Sequence, residues 1–338
     1  VIHLFPTFSN DASQSPLAQE LRALDVPHRL FAERVVLRYR NRLWLLLAGM
    51  PRMAWFATKS ALRSFTSGAT PRVVILGSDV EVLVFGLLRL LLFRRRTRIA
   101  WLCFIYTGRK QPVRRRLHLA YYRCVMSFVD VAICHSSLEC ERYRELFGRR
   151  TRFEFVPCGL HLVIPALTTA AEPYIFSAGR SGRDYRTLFD AVRSLPVKLR
   201  VVCDSGAMLE GLHIPRNVTV LRSCYGEDYV RELMNAEAVV VPLGVRDISA
   251  GQMVLLEAMA CGRPTIITRT PTVEDYVSHG HESLLVPPGD VQALREAIVR
   301  LENDKALAAA LGAAAREAFE ARFTMRVFVR NLVAAVSR

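Results

Sequence analysis

The 338-residue sequence is 51% hydrophobic and 23% charged, which excludes a disordered or collagen-like chain and leaves room for two ordinary domains. Its 46 Lys+Arg outnumber 31 Asp+Glu, a net charge of +15. All of that excess lies in residues 1–165, with 26 basic and 11 acidic side chains (26 − 11 = +15), whereas residues 166–338 hold 20 of each. A basic half points to nucleic acid, an anionic membrane surface or a phosphorylated substrate, or to a solvated arginine-rich surface.

Val1–Phe5 reads as a strand. It opens the chain without a secretory pattern, so a short leader or initiator is expected to be missing. Residues 15–24 read as a helix with Pro16 in the first turn. Residues 73–76, 99–105 and 129–134 read as strands, and the spacing predicts a helix over 138–146, with Ser136 or Ser137 as N-cap and Gly148 as stop. A strand over 153–156 closes on Pro157, Cys158 and Gly159. The stretch 160–173, poor in charge and holding Pro165 and Pro173, reads as a linker.

The second half repeats the scheme. Strands are expected at 174–177, 198–202, 218–221, 238–242, 265–268 and 284–286, and helices at 185–194, 228–235, 253–260, 291–301 and 306–322. Such alternation argues for two parallel, helix-covered sheets. Their ligands sit at the carboxyl ends of the strands, and two facing domains would share a cleft.

Several chemistries lack their signatures. There is no G-x-G-x-x-G, P-loop or H-E-x-x-H pattern. The eight cysteines form no C-x-x-C and no zinc spacing, so they read as reduced thiols of a cytosolic protein. The apolar run from Val82 to Phe93 is 12 residues long and contains Arg89, too short to cross a bilayer. No D-x-D triplet is present, so no metal is expected to carry a diphosphate, and no other cofactor is expected.

Two segments carry the functional signal. In the first, Asp247, Ser249, Ala250, Gly251, Gln252 and Met253 lead into an apolar helix. Free N–H groups at that helix start make an anion site, and Gly251 permits close approach. Glu257, one turn on, can accept the two hydroxyls of a ribose. It otherwise reads as a solvent-facing helix residue, a reading its apolar neighbours oppose. In the second, Gly179, Arg180, Arg183 and Asp184 follow a strand. Guanidinium groups are planar and permanently charged, and they match diphosphate oxygens.

Together these segments resemble the GT-B glycosyltransferases of the retaining, glycosyltransferase-4-like (group 1) type. The resemblance is strongest over 174–300 and rests on Gly179-Arg180, Arg183-Asp184, Thr187-Leu188, Ala236–Pro242, Leu256–Pro264 and Leu284–Asp290. It implies an α/β chain of two Rossmann-like, doubly wound domains facing across a cleft. The expected division is an acceptor domain over 1–165, a nucleotide-sugar domain over 166–320, and a terminal helix over 321–338 packing back on the first domain. It further implies Arg180 and Arg183 on the donor diphosphate, and Glu257 on the ribose as the second glutamate of an E-x7-E motif. Ser249 stands where the first glutamate would be. Gly179, Asp184, Asp247, Ala250, Gly251, Gln252 and Met253 would complete the donor site, with Tyr225 near the base. The glycine-rich first loop of the family is replaced by Ser9–Ser13. Asn10, Asp11 and Tyr106 are the candidate acceptor residues.

The implied reaction is metal-independent transfer from a nucleotide sugar, UDP- or GDP-linked, to a hydroxyl acceptor, lipid-linked or a polysaccharide precursor. An inactive GT-B scaffold serving as a partner subunit is the alternative that Ser249 keeps open. No nucleic-acid-binding motif accompanies the basic charge. The apolar-basic stretches 38–59 and 83–98 read either as core helices or as elements that attach a cytoplasmic enzyme to the inner face of the plasma membrane, and Arg109–Arg116 adds basic charge.

Overall fold

Val73–Leu76 and Val131–Cys134 are buried at every position, as continuous apolar runs must be when a sheet is covered on both faces. The computed structural model describes residues 1–5, 15–31, 49–66, 71–94, 96–109, 111–165, 172–244 and 248–338. The chain divides into two units, Val1–Val156 with Phe328–Arg338, and Pro157–Val327.

The first unit runs β1 (Ile2–Leu4), α1 (Pro16–Ala23), β2 (His28–Leu30), α2 (Met50–Thr66), β3 (Val73–Leu76), α3 (Asp79–Leu91), β4 (Arg98–Trp101), α4 (Pro112–Met126), β5 (Val131–Cys134), α5 (Ser137–Phe147) and β6 (Arg152–Phe155). Its strands are all parallel, in the order β2-β1-β3-β4-β5-β6. Ser78 and Glu81 cap α3 reciprocally, side chain to backbone in both directions, which satisfies two N–H groups that a helix start leaves open. The strand expected to reach residue 105 stops at Trp101, because Cys103 takes a left-handed φ of +56° and ends the extended run. Of the basic stretches of this half, described residues 50–59, 83–91 and 112–116 lie in α2, α3 and α4, and residues 38–48, 95 and 110 lie outside the described residues. α3 buries Val82 and Phe85 while its Leu87, Leu90 and Leu91, and Phe93 in the turn beyond it, stay exposed.

The second unit runs β7 (Ile175–Ala178), α6 (Tyr185–Val192), β8 (Leu199–Val202), α7 (Gly206–Leu209), β9 (Val218–Leu221), α8 (Gly226–Met234), β10 (Ala238–Val241), α9 (Gln252–Ala260), β11 (Thr265–Thr268), α10 (Pro271–Glu274), β12 (Leu284–Val286), α11 (Val291–Asn303) and α12 (Lys305–Arg322), with α13 (Met325–Ser337) following. Its parallel order is β12-β11-β10-β7-β8-β9. The order reverses direction at β7, the kind of switch point where such sheets open a crevice. α9 is buried at every residue except Met253 and Glu257, as a helix apolar all round must be. A Cβ on Gly312 in α12 would stand 2.3 Å from the Gly262 carbonyl just past α9, so that helix contact needs glycine.

The first part of the stretch expected as a linker groups with the second unit. There Leu160 exchanges backbone hydrogen bonds with Phe323 and Met325 at 2.9 and 3.1 Å. Phe328–Arg338, most of α13 and the residue after it, group with the first unit. Phe328, Val329, Leu332 and Val336 are buried there, and Arg152 donates to the Ala335 carbonyl at 3.2 Å. All eight cysteines are free thiols.

Candidate active site

The loop after β7 is shaped by Gly179, whose φ of +119° is closed to ordinary L-residues. Its N–H donates to Val202 at 3.1 Å, and its carbonyl accepts from Tyr185 Oη at 2.6 Å. The missing side chain leaves room for Arg183. A Cβ on Gly179 would lie 2.4–2.6 Å from three atoms of that guanidinium. Arg183 donates through Nε to the Ala178 carbonyl at 2.7 Å and through Nη1 to that of Ser181 at 3.1 Å. The loop is laced to the end of β10 by Gly244 N–H on the Gly182 carbonyl (2.9 Å) and Asp184 N–H on that of Pro242 (3.1 Å). Arg183 is therefore a half-buried, fixed cation. Burial pulls its pKa down, but arginine stays charged in proteins.

Asp184 has a local task. Its Oδ1 accepts the Thr187 N–H at 3.1 Å and its Oδ2 the Thr187 hydroxyl at 2.7 Å, capping α6.

α9 begins beyond β10. Gly251, its N-cap, has φ +90° with Leu243 and Val241 packed beneath it, a position that favours glycine. Gln252 is buried and turns its amide toward the Thr272 carbonyl at 3.5 Å, so its contribution to an anion site is its backbone N–H. Ala250 packs on the core beside α9, and Met253 is exposed. Glu257 accepts a hydrogen bond from Tyr229 Oη on α8 at 2.5 Å. Burial raises its carboxyl above the ordinary range, while the Tyr229 bond and the Arg183 charge pull it down.

Gly179, Arg180, Tyr225, Tyr229, Met253 and Glu257 line one cavity of about 350 Å³ at the carboxyl ends of β7 and β8, within the range of small-molecule sites. Asp204 and Cys224 line it as well. Ser249 is described and lies two residues before the α9 N-cap, but it is absent from the cavity wall. Asp247, Asn10 and Asp11 lie outside the described residues. Tyr106 is buried in the first unit, its N–H donating to Tyr143 Oη at 2.9 Å and its ring against His118, Tyr122 and Phe147. Sequence reasoning missed Tyr229, Tyr185 and Asp204. Tyr225 is the extended N-cap of α8 and Tyr229 lies within that helix, so no helical repeat links the two phenols.

Among the described residues no group of three or more His, Cys, Asp or Glu is placed to hold a metal ion. None of their helices is long and apolar enough to cross a membrane.

Two parallel Rossmann-like sheets, the second carrying this cavity, define the GT-B class of fold. The sucrose-phosphate synthase of Thermosynechococcus elongatus shares it at TM-score 0.75 and 18% identity, covering 98% of this chain and 97% of that one. So does Anabaena HepE, solved in complex with UDP and glucose, at TM-score 0.67 and 15% identity over 99% of both chains. Residues 173–304 match the family model described as glycosyl transferases group 1. The chain thus shares the GT-B fold over nearly its whole length, and its second unit is similar to the group 1 glycosyl transferases. It spans 13%, 30% and 61% of the length of three curated relatives. The third is a GDP-mannose-dependent monoacylated alpha-(1-6)-phosphatidylinositol monomannoside mannosyltransferase of Corynebacterium glutamicum, 25% identical over 233 residues, 60% of this chain.

Proposed function

We propose that the chain transfers a sugar, with retention, from a UDP- or GDP-sugar to a hydroxyl acceptor. The carrying observation is one cavity lined by a half-buried carboxylate, Glu257, and by Arg180, with fixed Arg183 and the amino end of α9 beside it. Glu257 would take the ribose hydroxyls. Arg180, Arg183 and the N–H groups of Gly251 and Gln252 would hold the diphosphate and stabilise the charge that grows on it as the glycosidic bond breaks. The leaving phosphate oxygen would then receive the acceptor's proton, so the mechanism needs no separate base. Ser249 and Asp247 would lie toward the sugar, and Asn10, Asp11 and Tyr106 toward the acceptor. The relative that uses GDP-mannose and the fold neighbour solved with UDP support the donor class.

The test is equilibrium binding of UDP-, GDP- and ADP-sugars without metal. One nucleotide is expected to bind, and Glu257→Ala and Arg183→Ala should each weaken it at least about ten-fold, the value of one charge-assisted contact. Binding indifferent to both substitutions would overturn the assignment.

The acceptor reading is a lipid-linked or polysaccharide precursor met at an anionic inner leaflet by a cytoplasmic enzyme. In support, Leu90 and Leu91 on α3, Phe93 just beyond it, and Val113 and Leu117 on α4, are exposed beside Arg94, Arg96 and Arg114–Arg116, the composition of a surface-lying membrane element. Flotation with anionic vesicles at low salt should carry the protein up, and Phe93→Asp with Leu91→Asp should abolish that. A protein that stays at the bottom refutes the attachment.

A further inference from the structure

The cavity has a second end, away from α9. In the sheet the carboxyl ends of β10, β7, β8 and β9 follow one another. α9 starts after β10, Asp204 follows β8, and residues 222–225 follow β9. A nucleoside diphosphate with its phosphates at the start of α9 and its ribose at Glu257 therefore extends its base toward Asp204 and Tyr225, which line the cavity there.

That end is built. Tyr225 is 64% exposed, yet its ring is tethered, because Oη donates to Asp204 Oδ2. Ser223 sits at φ +56°, an uncommon conformation for a residue with a side chain, and its N–H donates to Asp204 Oδ1 at 2.7 Å. The bonds from Tyr225 and Ser223, with help from Arg180 and Arg222, hold the Asp204 carboxyl below its ordinary value, so it is ionised at neutral pH. A strained loop fixed beside a cavity, presenting an immobilised aromatic face, is the kind of structure that binding sites maintain.

The chemistry of the carboxylate then selects the base. An ionised carboxylate only accepts hydrogen bonds, and each of its oxygens keeps a further lone pair after one bond. Guanine presents two adjacent donors on one edge, N1–H and the 2-amino group. Uracil presents one N–H flanked by two carbonyl oxygens, which a carboxylate repels. Adenine presents one amino group beside a ring lone pair. Resting on the nucleotide-sugar reading above, we propose that Asp204 reads the base as guanine stacked on Tyr225, which makes the donor a GDP-sugar.

Titration calorimetry of the intact chain with GDP, IDP, UDP and ADP tests this. IDP differs from GDP only in lacking the 2-amino group, so the comparison needs no variant. GDP is expected to bind at least about ten-fold more tightly than IDP or UDP, the discrimination of one charge-assisted hydrogen bond. Asp204→Asn should bring GDP and IDP within about three-fold of each other by removing that charge. Because Asp204 also holds Ser223, Tyr225→Phe serves as the second variant: it loses the tether but keeps the carboxylate, and the order GDP before IDP should survive. UDP as tight as GDP, or IDP equal to GDP on the unsubstituted chain, overturns the guanine assignment. If that binding is still lost in Glu257→Ala, the nucleotide-sugar reading stands alone. No binding of any of the four removes both.

Discussion

Gly179→Ala is expected to weaken nucleotide binding by about a hundred-fold or more. Two causes add. The φ of +119° lies where only glycine is at ease, and the new Cβ would stand 2.4 Å from an Arg183 guanidinium nitrogen. That guanidinium cannot simply retreat, because Nε and Nη1 are bonded to the Ala178 and Ser181 carbonyls. Relief by backbone movement would also disturb the Gly244–Gly182 and Asp184–Pro242 hydrogen bonds that fix the loop to β10. The checks are calorimetric affinity for the bound nucleotide and a thermal melt. Gly108→Ala is the control, since a Cβ there meets nothing within 4 Å. Unchanged affinity in Gly179→Ala would mean that Arg183 does not serve the ligand.

The second large effect concerns pH. Glu257 is an acid whose carboxyl is raised by burial and lowered by the Tyr229 hydrogen bond and the Arg183 charge. In the folded chain the raised group holds its proton to higher pH than in the unfolded chain. Its ionisation therefore costs stability as pH rises through that raised value. Ligand binding has the opposite sign, because ribose hydroxyls donate to the ionised form, so donor affinity falls as the carboxyl is protonated on the acid side. Tyr229→Phe removes a bond to the charged form and should push the carboxyl higher still. Donor affinity on the acid side should then fall, by at most about ten-fold, with the acid limb moving up by about one pH unit, the shift that one such bond supports. A purely structural role for Tyr229 would lower affinity equally at pH 6 and pH 8. Identical acid limbs in the two proteins would rule out this effect.

The second unit was the more legible half. Its strands announce themselves as short apolar runs, and β9, β11 and β12 fall on the residues the periodicity predicts. The glycine-arginine turn and the small-residue lead into α9 could be read because their chemistry lies in contiguous residues. Tyr229 and Asp204 could not. Tyr229 meets Glu257 across 28 residues and Asp204 meets Tyr225 across 21, and no local pattern in an ordinary helix or strand end specifies such partners. In the first unit α4 was hidden by composition. Arg-rich stretches such as Arg114–Arg116 score as surface charge whether or not they are helical, and the hydrophobic alternation that marks a buried face is weak in α4, which buries only Val125 and Met126.

The assignment of Phe328–Arg338 to the first unit has a consequence for how the protein comes off the ribosome. Vectorial synthesis normally lets an amino-terminal domain fold before the rest appears. Here β1 to β6 emerge early, but Phe328, Val329, Leu332 and Val336, buried on that unit, emerge only after the whole of residues 157–327. The contiguous second unit can be finished first. The amino-terminal unit must then carry an uncovered apolar seam while residues 157–327 are synthesised, which makes the nascent chain, more than the folded one, the form in need of a chaperone.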